Sequence, residues 1–448
     1  MIKSSSMVAL ILVPVLLAAV MPVAAQDQAQ LRPTPLSLLE ALRLALQQNQ
    51  QLKVAAFEVA VARAQLAQAR AGGAIQGNVQ ASYARTQEGL SVTIPTNSGT
   101  DFITIPAPSP NIYDARLVLQ YPLYSGGRVE AQIAMGEANL KGAEATFDRV
   151  RQQIIFIIRQ AYYQLLLAQA GLDSANHSVT QAAENLRVAR ARVASGVSPK
   201  FDEVQADVAL ATARQTQVRA RNGLAQGMQA LNGLLNLPLE TPLTPTNPFM
   251  VAVVETPLDR LVSQGLETRP ELAEVRARQA AAQAGIQLAE SGARLNLGLS
   301  GAFDYSNTSG FGPGPQLSST WSVALAATLN VSDGGLTKDR VDEARQRLEQ
   351  LKAAEVQQRQ VIELDVRQSY LNLQSAREEL TGADALQAQA AEALRIANVR
   401  FAAGVGTSLE VLSAQAASSQ AEVAKAQAFF TYNVARAALV RAVGAEVN

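Results

Sequence analysis

The sequence predicts a mixed α/β membrane protein, mostly α, built of two tandem repeats that each supply two amphipathic β-strands and one very long helix. Three observations carry that prediction. Segments of the two halves match at a constant offset of 208 residues, two stretches of more than 60 residues contain no proline, and four segments of about ten residues alternate apolar with polar side chains.

The N-terminus runs Met1-Ile2-Lys3, then an apolar stretch from Met7 to Val23, then Ala24-Ala25. This order of basic, apolar and small residues predicts a signal peptide over 1–25. Pro14 and Pro22 break the stretch, whereas a spanning helix needs roughly 20 apolar residues. The mature chain is therefore expected outside the cytoplasm, with 26–35 as an N-terminal extension. No later run approaches a membrane helix, so any crossing falls to strands. The sequence has no cysteine, which excludes disulfides, thiolate metal sites, cysteine nucleophiles and a lipid-modified cysteine. Lys+Arg and Asp+Glu are 38 each, a balance that gives no reason to expect nucleic acid as a partner.

The first repeat is assigned to 36–235 and the second to 258–444, with 445–448 as a tail. Leu186–Val197 (LRVARARVASGV) matches Leu394–Val405 (LRIANVRFAAGV) at seven of twelve positions, Arg159–Leu166 falls on Arg367–Gln374, and Gly126-Gly127 falls on Gly334-Gly335. An ungapped register of this length marks a duplicated rigid element, because an insertion inside a long helix would rotate every later side chain. Between the copies, 236–257 carries five prolines and is expected to be a linker.

Strands are expected at about 77–86, 112–124, 295–305 and 321–331. In the third, Leu295, Leu297, Leu299, Phe303 and Tyr305 alternate with Asn296, Gly298, Ser300, Ala302 and Asp304. Ten residues suffice to cross a bilayer at a tilt. Tyr83, Tyr113, Tyr121, Phe303, Tyr305 and Trp321 gather near strand ends on the apolar face, where interfacial girdles form against outer-membrane lipid. A soluble sheet half-buried against helices would show the same alternation without that aromatic placement. Loops 88–111 and 306–320, rich in Gly, Pro, Ser and Thr, suit exposed connections. Four strands cannot close a barrel and an open edge cannot face lipid, so the chain must pair with copies of itself.

Long helices are expected at about 128–195 and 338–403, each reaching about 100 Å. The shorter helices from Ser37 to Ala74 and from Pro199 to Leu235, end to end, match the long one. Tip turns fall at 195–199 and 403–408. In the first, Gly196 suits a left-handed C-cap, Ser198 a cap and Pro199 a first helical position; in the second, Gly404 ends one helix and Thr407 with Glu410 forms a capping box.

Pro122-Leu-Tyr-Ser-Gly-Gly-Arg128 and Val331-Ser-Asp-Gly-Gly335 resemble the strand-to-helix junctions of TolC-type outer-membrane efflux proteins. The turns Ala194–Ser198 and Ala403–Thr407 resemble that family's helical tips, and the likeness covers nearly all of the mature chain. It implies a homotrimer with a twelve-stranded barrel in the outer membrane, continuous with a twelve-helix periplasmic tunnel. It further implies that Gly196, Val197, Ser198, Gly404, Val405 and Thr407 dock a periplasmic membrane-fusion adaptor, which joins an inner-membrane pump of the RND, ABC or MFS type in drug or metal efflux or type I secretion. Glu410 occupies a position where the family places acidic residues around the tunnel entrance, while Ser413, one turn later, departs from the acidic pattern.

No catalytic site, cofactor or metal site is expected. His177 is the sole histidine and has no cysteine or second imidazole to join. Gly310-Phe-Gly-Pro-Gly-Pro315 lacks the Lys-Ser/Thr of a phosphate loop, and Glu378-Glu379 reads as solvated charge on a helix. The alternative from another class is a periplasmic coiled-coil adaptor or scaffold, which would share the signal peptide and helices but need no amphipathic strands.

Overall fold

The structure, a computed structural model, describes residues 34–87, 90–95, 102–105, 109–246, 249, 251, 254–307 and 317–446. The signal peptide and the glycine-rich 310–315 segment lie outside them. The first repeat comprises β1 (Thr34–Leu36), α1 (Leu38–Gln48), α2 (Gln50–Ala71), β2 (Gln76–Arg85), β3 (Val92–Pro95), β4 (Phe102–Ile105), β5 (Asn111–Tyr124), α3 (Arg128–Ala194) and α4 (Lys200–Leu235). After β6 (Leu243–Pro245) follow α5 (Leu258–Thr268), α6 (Pro270–Glu290), β7 (Asn296–Ser306), β8 (Ser318–Thr328), α7 (Leu336–Ala402) and α8 (Ser408–Val443).

Several boundaries differ from the sequence-based expectation. The last strand ends at Thr328, not 331, because its partner β7 begins at Asn296, opposite Thr328, and residues beyond have nothing to pair with. The linker is not wholly irregular: β6 pairs in parallel with β1, which draws the end of the N-terminal extension into the fold. The helix expected from Ser37 to Ala74 breaks at Asn49, and its counterpart in the second repeat breaks at Arg269 before Pro270. Both residues have the same extended backbone (φ −62°, ψ 127° and φ −67°, ψ 123°), each ending one helix and capping the next.

The two breaks serve one purpose. Each short outer helix ends where another helix arrives end-on, and the break residue satisfies a terminal carbonyl there. Asn49 Nδ2 donates to the Leu234 carbonyl at the end of α4 (3.3 Å), and Arg269 Nη1 donates to the Ala442 carbonyl at the end of α8 (3.1 Å). Asn49 and Arg269 stand 220 residues apart, whereas the strand-to-helix junctions Ser125 and Asp333 stand 208 apart. The 12-residue difference lies in the loop between the paired strands, where the first repeat carries the β3–β4 hairpin.

At those junctions a glycine with positive φ leads each long helix, Gly127 at +89° and Gly335 at +94°, a conformation that a Cβ would strain. A side chain two residues earlier caps the first turn: Ser125 Oγ accepts from Val129 N (3.0 Å) and Asp333 Oδ2 from Thr337 N (2.8 Å). Hydrogen bonds from the Thr337 side chain and backbone hold the Asp333 carboxyl below the usual carboxylate range. A folded-state value below the unfolded one stabilises above the unfolded pKa and is lost as pH falls. Asp333→Ala is expected to weaken the α7 start, as cap removal does elsewhere, and to abolish this contribution's acid sensitivity, read by thermal unfolding across pH.

The long helices are each 67 residues. Ile154, Ile158, Tyr162 and Leu165 of α3 bury against Ala41, Ala45, Leu231 and Leu235 from α1 and α4. Ile362, Val366 and Leu373 of α7 do the same against Leu261, Leu439 and Val443 from α5 and α8. Each fully buried Leu or Ile contributes roughly 1.5–3 kcal/mol. Phe249 of the linker joins the cores, stacked between Tyr163 (6.4 Å) and Phe429 (5.4 Å). Near the strands the helices neighbour one another in the order α2, α3, α6, α7; away from them the order is α4, α3, α8, α7. Thus α2 and α4 lie on one flank and α7 on the other.

Candidate functional site

The four longer strands form one antiparallel sheet in the order β2-β5-β7-β8. Its register sorts side chains by face. Val79, Leu117, Phe303 and Trp321 make one row, and Leu119, Gly301 and Val323 the next. The opposite face carries Gln80, Arg116, Asp304 and Thr320 in a row, with Arg116 Nε 3.1 Å from Asp304 Oδ1. Trp321, Val79 and Val323 are 77%, 74% and 67% exposed, so the apolar face has no cover within the chain. Among the described residues no helix is long and apolar enough to cross a membrane.

The structure brings the aromatic residues together in two bands. Tyr83 and Tyr113 pair at the outer end, ring centroids 5.2 Å apart, and Tyr83 donates its hydroxyl to Asn111 Oδ1 (3.1 Å). Tyr305 stands in the adjoining row, and Phe303 and Trp321 sit opposite each other one step inward. Tyr121 lies at the other end, opposite Leu299. Tyr124 belongs with it and escapes the alternation because a bulge between Pro122 and Tyr124 shifts the phase, placing it opposite Leu297.

The turns at the far end of the helices are the second candidate surface. Gly196 and Gly404 adopt φ +70° and +77°, and Val197 and Val405 are 71% and 68% exposed. Two expectations need correction. Ser198 does not cap α4: Pro199 holds the N-cap position with no side-chain bond, and in the first turn Lys200 Nζ donates to Glu203 Oε2 (2.5 Å). Only half of the Thr407–Glu410 box forms, because Thr407 Oγ1 accepts from Glu410 N (3.2 Å) while the Glu410 carboxylate turns to Arg400 Nε (3.4 Å). Ser413 donates its hydroxyl to the Glu410 carbonyl (3.0 Å).

Sequence reasoning missed the tip residues Gly406, Arg192 and Phe401. Gly406 has no room for a side chain: a Cβ there would lie 2.9 Å from Phe401 N and 3.0 Å from Arg400 C. Arg192, at the end of α3, stacks its guanidinium 4.2 Å from the Phe401 ring and so ties the first tip to the second. Three turns back, Glu184–Arg187 and Glu392–Arg395 occupy matching places in the repeats, and the arginine hydrogen bonds hold both carboxyls below their ordinary range. Among the described residues there is no group of three His, Cys, Asp or Glu side chains that could hold a metal ion.

The family model described as outer membrane efflux protein matches residues 41–237 and 261–445. The protein CyaE of Bordetella pertussis is 24% identical over 304 residues, 67% of this chain and 64% of CyaE, so the chain spans under two thirds of that relative's length. The outer membrane protein OprJ of Pseudomonas aeruginosa is 24% identical over 90% of this chain and 82% of its own. The CmeC outer membrane channel of Campylobacter jejuni shares the fold at a TM-score of 0.76 and 18% identity, covering 92% of this chain and 86% of CmeC.

Proposed function

This chain belongs to the outer membrane efflux protein family, trimeric non-enzymatic channels of the outer membrane with periplasmic helices, and we propose on that premise that it conducts substrates passively from an inner-membrane pump to the exterior. The observation that carries the reading is the agreement between two sets of open edges. Strand β2 is one edge of the sheet and β8 the other, while α2 with α4 and α7 flank the helices on the corresponding sides. One operation therefore completes both layers.

Strand β2 runs away from the helices and β8 returns, so β8 of one copy meets β2 of the next in antiparallel pairing. Three copies give the twelve strands and twelve helices of the family's architecture, with the apolar face toward lipid and the Arg116–Asp304 face inward. Both flanks carry exposed apolar residues, Val54, Phe57 and Val61 on α2 and Val356, Val361, Leu364 and Leu371 on α7, at spacings that suit helix packing. A periplasmic scaffold would have no use for the sheet.

At the far end, Gly196, Val197, Ser198, Gly404, Val405 and Thr407 form the surface that meets a periplasmic adaptor. Exposed Val197 and Val405 supply its apolar points. Glu410 stands at the tunnel entrance with its charge balanced by Arg400.

Fractionation tests the reading. The expected result is an outer-membrane trimer that needs detergent, migrates differently before and after heating, and gives discrete conductance in a planar bilayer. A soluble periplasmic monomer would overturn it.

A further inference from the structure

We infer that the mouth of the helical tunnel, just beneath the barrel, holds an anion-binding recess built on Arg128 and Arg340, so that each trimer presents passing substrates with three pairs of unneutralised guanidinium groups. The inference rests on the channel reading and deepens it by naming a substrate class: solutes bearing carboxylate or phosphate groups.

The direction in which Arg128 points is fixed by its neighbours. It lines a hollow at the base of the sheet together with Gln76, Gln120 and Ser300, all on the polar face that the closed barrel turns inward. Glu130, two residues on and about 200° around the helix, is directed away. Arg128 also borders a second hollow, of about 650 Å³, between α3, α6 and α7, and Arg340 lines its far wall. The floor is α6, whose Ala282, Gly285 and Ala289 leave the space open; a Cβ on Gly285 would meet nothing.

Charge in this recess is not balanced. Arg347 also lines it but is bridged to Glu343 at 2.6 Å, so that pair cancels. Among the described residues, neither Arg128 nor Arg340 has a carboxylate partner or a side-chain hydrogen bond. Two arginines without a carboxylate partner on the two walls of one inward hollow make a concentrated positive field. Guanidinium groups match the planar geometry of carboxylate and phosphate oxygens, and a confined channel wall strengthens such a field over bulk water.

The test compares the full-length trimer with the Arg128→Gln/Arg340→Gln variant, using citrate as the probe. Calorimetry on the detergent-solubilised trimer should show citrate binding that falls roughly tenfold or more in the variant, as loss of charge-assisted bonds implies. In planar bilayers under a KCl gradient the reversal potential should move toward cation preference. Arg128→Lys/Arg340→Lys should keep both properties, and unheated gels establish that every variant is trimeric. Equal citrate binding and an unchanged reversal potential in a trimeric Gln variant would overturn the recess while leaving the channel intact. A trimer that binds citrate but never conducts would instead overturn the channel reading beneath it.

Discussion

Arg269→Met is expected to destabilise the second repeat by about 3 kcal/mol, the low end of the cost of breaking a buried ion pair, since its carboxylate partners keep some solvent. The Arg269 side chain is 8% exposed, against 29% for Asp365 and 24% for Glu271. It donates from Nη1 to Asp365 Oδ2 at 2.7 Å and from Nε and Nη2 to Glu271 at 2.9 and 2.8 Å. Burial alone would push its pKa down; the hydrogen bonds to Glu271 and Asp365 outweigh that and hold it above its ordinary value. Methionine keeps the aliphatic volume but strands two carboxylates and the Ala442 carbonyl. The temperature at which the trimer dissociates on a gel should fall, and adding Asp365→Asn should recover part of the loss, because it removes one stranded charge. Asn49→Ala, at the equivalent break of the first repeat, should cost only about 1 kcal/mol, since a neutral cap is lost and no charge is stranded. Equal effects at the two sites would mean that the ion pairs contribute nothing.

This contrast also marks where sequence reading stops. The repeat itself was legible because Gly126-Gly127 and Gly334-Gly335 are forced by positive φ, so both copies keep them. The helix break was not legible. Asn49 in QQNQQ and Arg269 before Pro270 share no side-chain chemistry, although they share a backbone conformation and a task. The 208-residue offset hid it as well, since upstream of the β3–β4 hairpin the equivalence runs at 220. Alternation placed β2, β5 and β7 to within a residue, but β8 lies three residues earlier than expected at both ends, Ser318–Thr328, because its pairing with Asn296–Ser306 of β7 sets its span, and the bulge before Tyr124 inverts its face. The Arg128 recess was out of reach because its walls come from α3 and α7, more than 200 residues apart, and its floor from the small residues of a third helix.

Gly404→Val together with Gly406→Ala is expected to bring export close to that of a strain lacking the channel, while trimer assembly stays as in the parent. The two glycines constrain the second tip in different ways. At Gly404 the φ of +77° costs a β-branched residue of order 1–3 kcal/mol wherever the surroundings hold that conformation. At Gly406 the backbone dihedral is ordinary but space is missing: the new methyl would press on Phe401 N and Arg400 C, backbone atoms that cannot swing aside. Relief requires the end of α7 to move. That end carries Phe401, on which Arg192 of the first tip stacks, and Arg400, which holds Glu410. Distortion at one turn therefore reaches both tips, whereas the strands and their seams lie about 100 Å away along α7 and keep their pairing. Ser198, at the equivalent position of the first tip, already has a Cβ and makes no cap, so Ser198→Ala removes only a hydroxyl of the docking surface and reads that contact without distorting the turn. Export is read as tolerance to whichever toxic compounds the channel-deleted strain fails to withstand, with membrane fractions checked for trimer. Parent-level tolerance in the Gly404→Val/Gly406→Ala variant would mean that the second tip can be reshaped without consequence, and the docking surface would then have to be sought elsewhere on the helices.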